Sequence, residues 1–144
     1  MLDRWRRLGP QEQHLFLEAL AALVSARLTL LVRPFSVTWR ALMERKAPSP
    51  AEASAAVEPA LVTRAVRRAS RVIPGSRCLP QALATHTMLA RRGIASDVRF
   101  GVARDGQRGF EAHAWVELDG AVVIGKLRDL HRYEPLPRPS RNGT

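Results

Sequence analysis

Cysteine is nearly absent from this 144-residue chain: Cys78 is the only one. That count excludes an intrachain disulfide framework and a multi-thiolate zinc site, and makes a reducing cytoplasm the expected home. Histidine is sparse as well, and the four at positions 14, 86, 113 and 131 show no HExxH-type spacing. No metal is expected. A Gly-rich phosphate loop of the P-loop or dinucleotide type is also missing, so no cofactor is expected either. Lysine occurs only at Lys46 and Lys126, and arginine supplies the other 21 of the 23 basic residues.

The balance of +10 and the 46% hydrophobic content describe a basic chain able to bury a single core. A strongly basic chain raises nucleic acid or an anionic membrane as a partner. Here the arginines are spread over every segment and accompany no nucleic-acid motif. Nucleic acid is therefore not expected, and most arginines read as solvated surface.

Four segments follow from patterning: an N-terminal helical region over 1–46, a Pro/Ala-rich connection over 47–59, a core over 60–136 and a tail over 137–144. In the first, a helix runs from Gln11 to about Val32, with Leu17, Leu20, Val24, Leu28 and Leu31 on one apolar stripe. Arg33-Pro34 then interrupts it, and a shorter helix through Trp39, Leu42 and Met43 follows. Glu18 and Arg27 make the run a poor membrane span. Packing on the core or on a partner protein is preferred over superficial membrane contact. A further helix from about Pro59 to Ser70 turns Leu61, Ala65 and Val66 inward and Arg64, Arg67 and Arg68 outward.

Pro74-Gly75 signals a turn, and the residues after it open another helix at Cys78. Pro80 stands in its first turn, where a missing N–H goes unnoticed. Cys78, Ala82, Thr85 and Leu89 recur at helical spacing, and Gly93 is the stop signal. A helix start presents unpaired N–H groups and the positive end of the dipole, which favour the reactive anionic form of a thiol placed there. The bland reading is an inert thiol packed as a small hydrophobe.

Beyond Gly93, Val98, Phe100 and Val102 alternate as one strand, and Phe110 to Leu118 as another. Asp119-Gly120 marks a tight hairpin into the apolar Ala121 to Ile124. In the middle strand Glu111, His113, Trp115 and Glu117 share one face. If that face packs on the cysteine helix, the imidazole can take the thiol proton and later protonate a leaving amine. A half-exposed strand histidine beside a tryptophan is the equally open alternative.

The order of cysteine helix, strand, histidine strand and strand carries a resemblance. From Arg77 to Gly125, through Cys78-Leu79-Pro80-Gln81-Ala82-Leu83, Arg91-Arg92-Gly93-Ile94, Phe100-Gly101-Val102 and Ala112-His113-Ala114-Trp115-Val116-Glu117, the chain resembles the transglutaminase-like peptidases of lasso-peptide biosynthesis. These are the B proteins or their separately encoded protease halves. The resemblance implies an α+β fold with a papain/transglutaminase-like core, a cysteine-bearing helix packed on a small antiparallel sheet, and an N-terminal helical subdomain. It implies Cys78 as nucleophile and His113 as general base and acid, in a cysteine protease that removes the leader from a ribosomally made precursor. The family's third residue is an aspartate on the strand after the histidine. Gly125 occupies that place here, leaving Asp119 and Asp129 as the candidate carboxylates.

The Cys78 backbone N–H is the natural oxyanion donor, with Gln81 as a conceivable second. Trp115 either roofs the site or fills the core, and core is preferred. The implied partners are the lasso precursor peptide, a separate leader-recognition protein and the ATP-dependent macrolactam-forming cyclase. Two other readings stand beside the peptidase: a catalytically inactive scaffold of the same fold, and a basic nucleic-acid or membrane-surface binding domain in which Cys78 is structural.

Overall fold

The computed structural model describes residues 2–34, 37, 58–105, 109–128 and 130–135. These form α1 (Leu2–Arg7), α2 (Pro10–Val32), α3 (Pro59–Ser70), α4 (Cys78–Arg91), β1 (Asp97–Asp105), β2 (Gly109–Leu118), β3 (Ala121–Ile124), a 3-10 turn (Leu130–Arg132) and β4 (Glu134–Pro135). The fold is α+β, as expected. The expected helix through Trp39, the 47–57 part of the connection and the 137–144 tail lie outside the described residues.

The sheet is antiparallel in the order β3-β2-β1-β4. Asp119 and Gly120 both have positive φ, 51° and 81°, so the β2–β3 hairpin closes through the primed turn that Asp-Gly favours. β4 adds to the other edge, placing Pro135 opposite Gly101. At the end of α4, Gly93 adopts φ 73° while its N–H bonds to Ala90 O and that of Ile94 to Leu89 O. That is a Schellman closure, and Ile94 and Leu89 both join the core above it.

One face of the sheet carries the main core, where Val98, Ala114, Val116 and Ile124 meet Ala82, Met88 and Leu89 of α4 and Val62 and Val66 of α3. Each fully buried Leu, Val or Met side chain here contributes about 1.5–3 kcal/mol. α2 packs behind α3 and α4 and shares that core through Leu15, Ala19 and Leu23.

The stripe of α2 that enters the core is not the one through Leu17 and Leu28, which, of the two expected placements, leaves that on a partner protein. Leu15, Ala19, Leu23 and Ala26 face inward, whereas Leu17, Val24, Leu28 and Leu31 are exposed and Leu20 is half-buried. α2 is apolar on most of its circumference, so periodicity could not single out one face. Two ion pairs accompany this rotation: Glu12 lies 3.8 Å from Arg68 on α3, and Glu18 lies 2.6 Å from Arg92 at the end of α4. α2 is also the one helix among the described residues long and apolar enough to cross a membrane.

Candidate active site

Cys78 is the first residue of α4 and is half-buried. Two hydrogen bonds and a glycine turn build the segment before it. Arg27 Nη1 on α2 donates to Pro74 O. Gly75 takes φ 77°, and a Cβ there would meet the Arg27 guanidinium at 2.8 Å. Gln81 Nε2 donates to Ser76 O at 2.8 Å, so this amide fixes the Ser76–Cys78 turn from within the helix. Gln81 therefore acts on the backbone that carries the thiol. Ser76 Oγ beside it is buried with no partner among the described residues. The Cys78 N–H, in the first turn of α4, has no intrahelical acceptor to claim it.

His113 stands on β2 opposite Gly101 of β1. Its Nε2 lies 2.6 Å from Gly125 O. A carbonyl only accepts, so Nε2 carries the proton of that bond, and a neutral ring then keeps its lone pair on Nδ1. The ring is stacked on Trp115 at 6.1 Å between centroids and tilted against Tyr133 at 5.6 Å. Trp115 is 3% exposed, donates from Nε1 to Glu117 Oε1 at 3.0 Å, and forms a second small core with Ala103 and Tyr133. It thus fills space and walls the imidazole at once. Tyr133 Oη in turn donates to Glu111 Oε2 at 3.1 Å.

Gly101 and Gly125 make room for this arrangement. A Cβ on Gly101 would press on the Trp115 ring at 2.9 Å and on Tyr133 Cβ at 3.0 Å. One on Gly125, at φ 85°, would meet Ala114 O at 2.8 Å and Trp115 Cβ at 2.9 Å.

His113 and Trp115 do share a face, but α4 packs on the opposite one. The helix core meets Ala114 and Val116, while His113 contacts the second cluster. The short Ala114 side chain lets a helix approach closely, which the bulk of His113 and Trp115 would prevent. Cys78 packs against the helix-side cluster, and no hydrogen bond joins it to His113 among the described residues. The condition on which sequence reasoning rested the Cys–His contact is therefore not met by face packing.

Asp119 sits exposed at the β2–β3 turn, and the strand between it and His113 spans roughly 17–20 Å. It is not beside the imidazole. Asp129 lies outside the described residues. The atom that holds His113 is the backbone carbonyl of Gly125, in the place expected to bear the acid. A main-chain acceptor leaves no side-chain signature, and sequence reasoning missed it. Tyr133 was missed too, although it is the only tyrosine in the chain.

No three His, Cys, Asp or Glu side chains among the described residues cluster so as to hold a metal ion. No curated protein and no solved structure matches the chain. A family model, that of the transglutaminase-like superfamily, matches residues 20–138, which takes in most of α2, all of α3 and α4, and the whole sheet. With well over half its length so matched, the chain belongs to the transglutaminase-like superfamily.

Proposed function

We propose that this protein is a cysteine peptidase that removes the leader from a ribosomally made lasso-peptide precursor. Membership of a superfamily that is generally one of cysteine proteases and transferases supports thiol chemistry. The finer reading leans on the Cys78-Leu79-Pro80-Gln81 and Ala112-His113-Ala114-Trp115 motifs in their order along the chain.

In the mechanism, Cys78 Sγ gives its proton to His113 Nδ1 and attacks the scissile carbonyl, forming a thioester and releasing the amine, which takes a proton back from the imidazolium. Water, deprotonated by the same ring, then cleaves the thioester. The Cys78 N–H stabilises the oxyanion. Gly125 O holds the ring in the required tautomer, as the aspartate does in the resembled family. The single observation that carries this reading is the His113 to Gly125 bond, because it leaves Nδ1 as the basic nitrogen.

Catalytic hydrogen bonds often tighten only when substrate is bound. β3 pairs with β2 only between Val116 and Leu118, so at His113 that edge of β2 lies past the end of β3. Thiol and imidazole meet around this edge when the precursor docks. A separate leader-recognition protein delivers the precursor, the ATP-dependent macrolactam-forming cyclase consumes the core peptide, and the site of action is the cytoplasm.

The test is leader removal from a lasso precursor, followed by mass spectrometry, with and without the leader-recognition partner. Cleavage stimulated by the partner and lost in Cys78→Ala is the expected outcome; equal cleavage without the partner removes the delivery step, and equal cleavage by Cys78→Ala removes the peptidase. An inactive scaffold of the same fold is the second reading, favoured by the missing Cys78 to His113 bond. It predicts no cleavage by the wild type.

A further inference from the structure

We infer that the cleft between α1, α2 and the end of α3 is a docking site for an acidic peptide segment carrying one large apolar side chain. The cleft has a volume of 740 Å³, within the range of about 300–1,000 Å³ usual for ligand sites. Its floor and walls are apolar: Trp5, Leu8, Phe16 and Val72. Its rim is cationic: Arg4, Arg7, Arg68 and Arg71.

The floor is built rather than incidental. Gln13 Nε2 on α2 bonds to both Trp5 O and Leu8 O, at 2.9 and 3.2 Å, which clamps the end of α1 onto α2. Trp5 and Phe16 meet edge to face at 5.4 Å. On the rim, Arg68 has Glu12 at 3.8 Å, whereas Arg4, Arg7 and Arg71 have no ion-pair partner among the described residues.

Charge complementarity selects the occupant. Guanidinium groups are weakly hydrated and take carboxylates bidentately, so several unpaired ones around an apolar recess favour a chain with carboxylates flanking an apolar side chain. The apolar residue anchors in the recess, and the flanking acids are held at the rim. A nucleic acid fits less well, since bases need an open aromatic face to stack on and Phe16 is engaged edge-on with Trp5. A bilayer surface would call for apolar groups that protrude, and these line a recess.

The site is distinct from Cys78 and His113, and the inference holds whether or not the chain is a peptidase. The test therefore uses the full chain carrying Cys78→Ala, so that no cleavage intrudes. A short fluorescein-labelled peptide rich in Asp and Glu with one central leucine is the probe, read by fluorescence anisotropy. Binding should weaken at least about tenfold in Arg4→Glu/Arg71→Glu, and about tenfold when the probe leucine becomes serine. Rising salt should also weaken it. The milder Arg4→Gln/Arg71→Gln variant should show an intermediate loss with an unchanged circular dichroism spectrum. Equal binding by the charge-reversed protein, or by an Asn/Gln version of the probe, overturns the inference. So does tighter binding of oligothymidylate or of phosphatidylglycerol vesicles than of the peptide.

Discussion

The imidazole of His113 is held by the main chain of Gly125, with 2.6 Å between Nε2 and the carbonyl oxygen. Holding the ring this way ties its orientation to the backbone path after β3. That path depends on Gly125, whose φ of 85° suits glycine and where an added Cβ would meet Ala114 O and the Cα and Cβ of Trp115. Gly125→Ala should therefore cost about 1–3 kcal/mol of stability. It should also lower kcat about tenfold or more by displacing the carbonyl from the ring. Chemical denaturation and steady-state kinetics read the two effects. Gly101→Ala makes a contrast, because its Cβ would press on Trp115 and Tyr133, the rings that wall His113, and leave the Gly125 backbone itself unaltered.

Asp119 should prove dispensable for chemistry. It turns the hairpin at an exposed tip, and asparagine tolerates the same positive φ. Asp119→Asn is expected to leave both stability and leader removal unchanged in a cleavage assay. A large loss of rate with stability intact would bring that carboxylate back into the mechanism.

How much of this was legible in the sequence depends on where the signal resides. Gly93 and Asp119-Gly120 announced the end of α4 and the β2–β3 turn because backbone conformations with positive φ leave their mark in residue type. The alternation around His113 placed His113 and Trp115 on one face. It could not say which face a helix would cover, since Ala114 and Val116 are apolar and so is Trp115. The rotation of α2 was illegible for a related reason: its leucines surround the helix, and the pairs Glu12 with Arg68 and Glu18 with Arg92 are long-range contacts that no local pattern reveals. The hold on His113 was hidden more deeply still, in a peptide carbonyl.

Two stripes of α2 should differ sharply when mutated. Leu23 is fully buried, and Leu23→Ala should cost about 2–5 kcal/mol. Leu28 and Leu31, 57% and 77% exposed, should tolerate serine within about 0.5 kcal/mol. Urea denaturation of the three variants checks the assignment. Equal losses at all three would contradict it, and losses confined to Leu28 and Leu31 would place the core on the other stripe.

Glu18 should make stability depend on acid pH. The Arg92 guanidinium hydrogen-bonded to it, at 2.6 and 3.0 Å, holds its carboxyl below the ordinary value of 4.5, with burial opposing and Arg91 and His14 assisting. A carboxyl whose folded pKa is depressed binds protons less readily when native than when unfolded. Its stabilising contribution is therefore complete above the ordinary value and is lost as pH falls through the depressed one. Glu18→Gln should cost about 1–3 kcal/mol at neutral pH, less than a fully buried pair because solvent still reaches the rim. The gap between wild type and variant should close as the solution is acidified below 4.5. Denaturation midpoints across that range measure it, and a constant gap would contradict the assignment.

The central claim is that Cys78 and His113 work as one unit although no bond joins them in this structure. A double-mutant cycle on leader removal, comparing Cys78→Ala, His113→Ala and the double variant, tests it most directly. Residues that act as a unit are strongly non-additive, so either single change should lower kcat/KM by about a thousandfold or more and the double change should add little. A His113→Ala protein that cleaves at the wild-type rate, or losses that multiply in the double variant, would contradict the account.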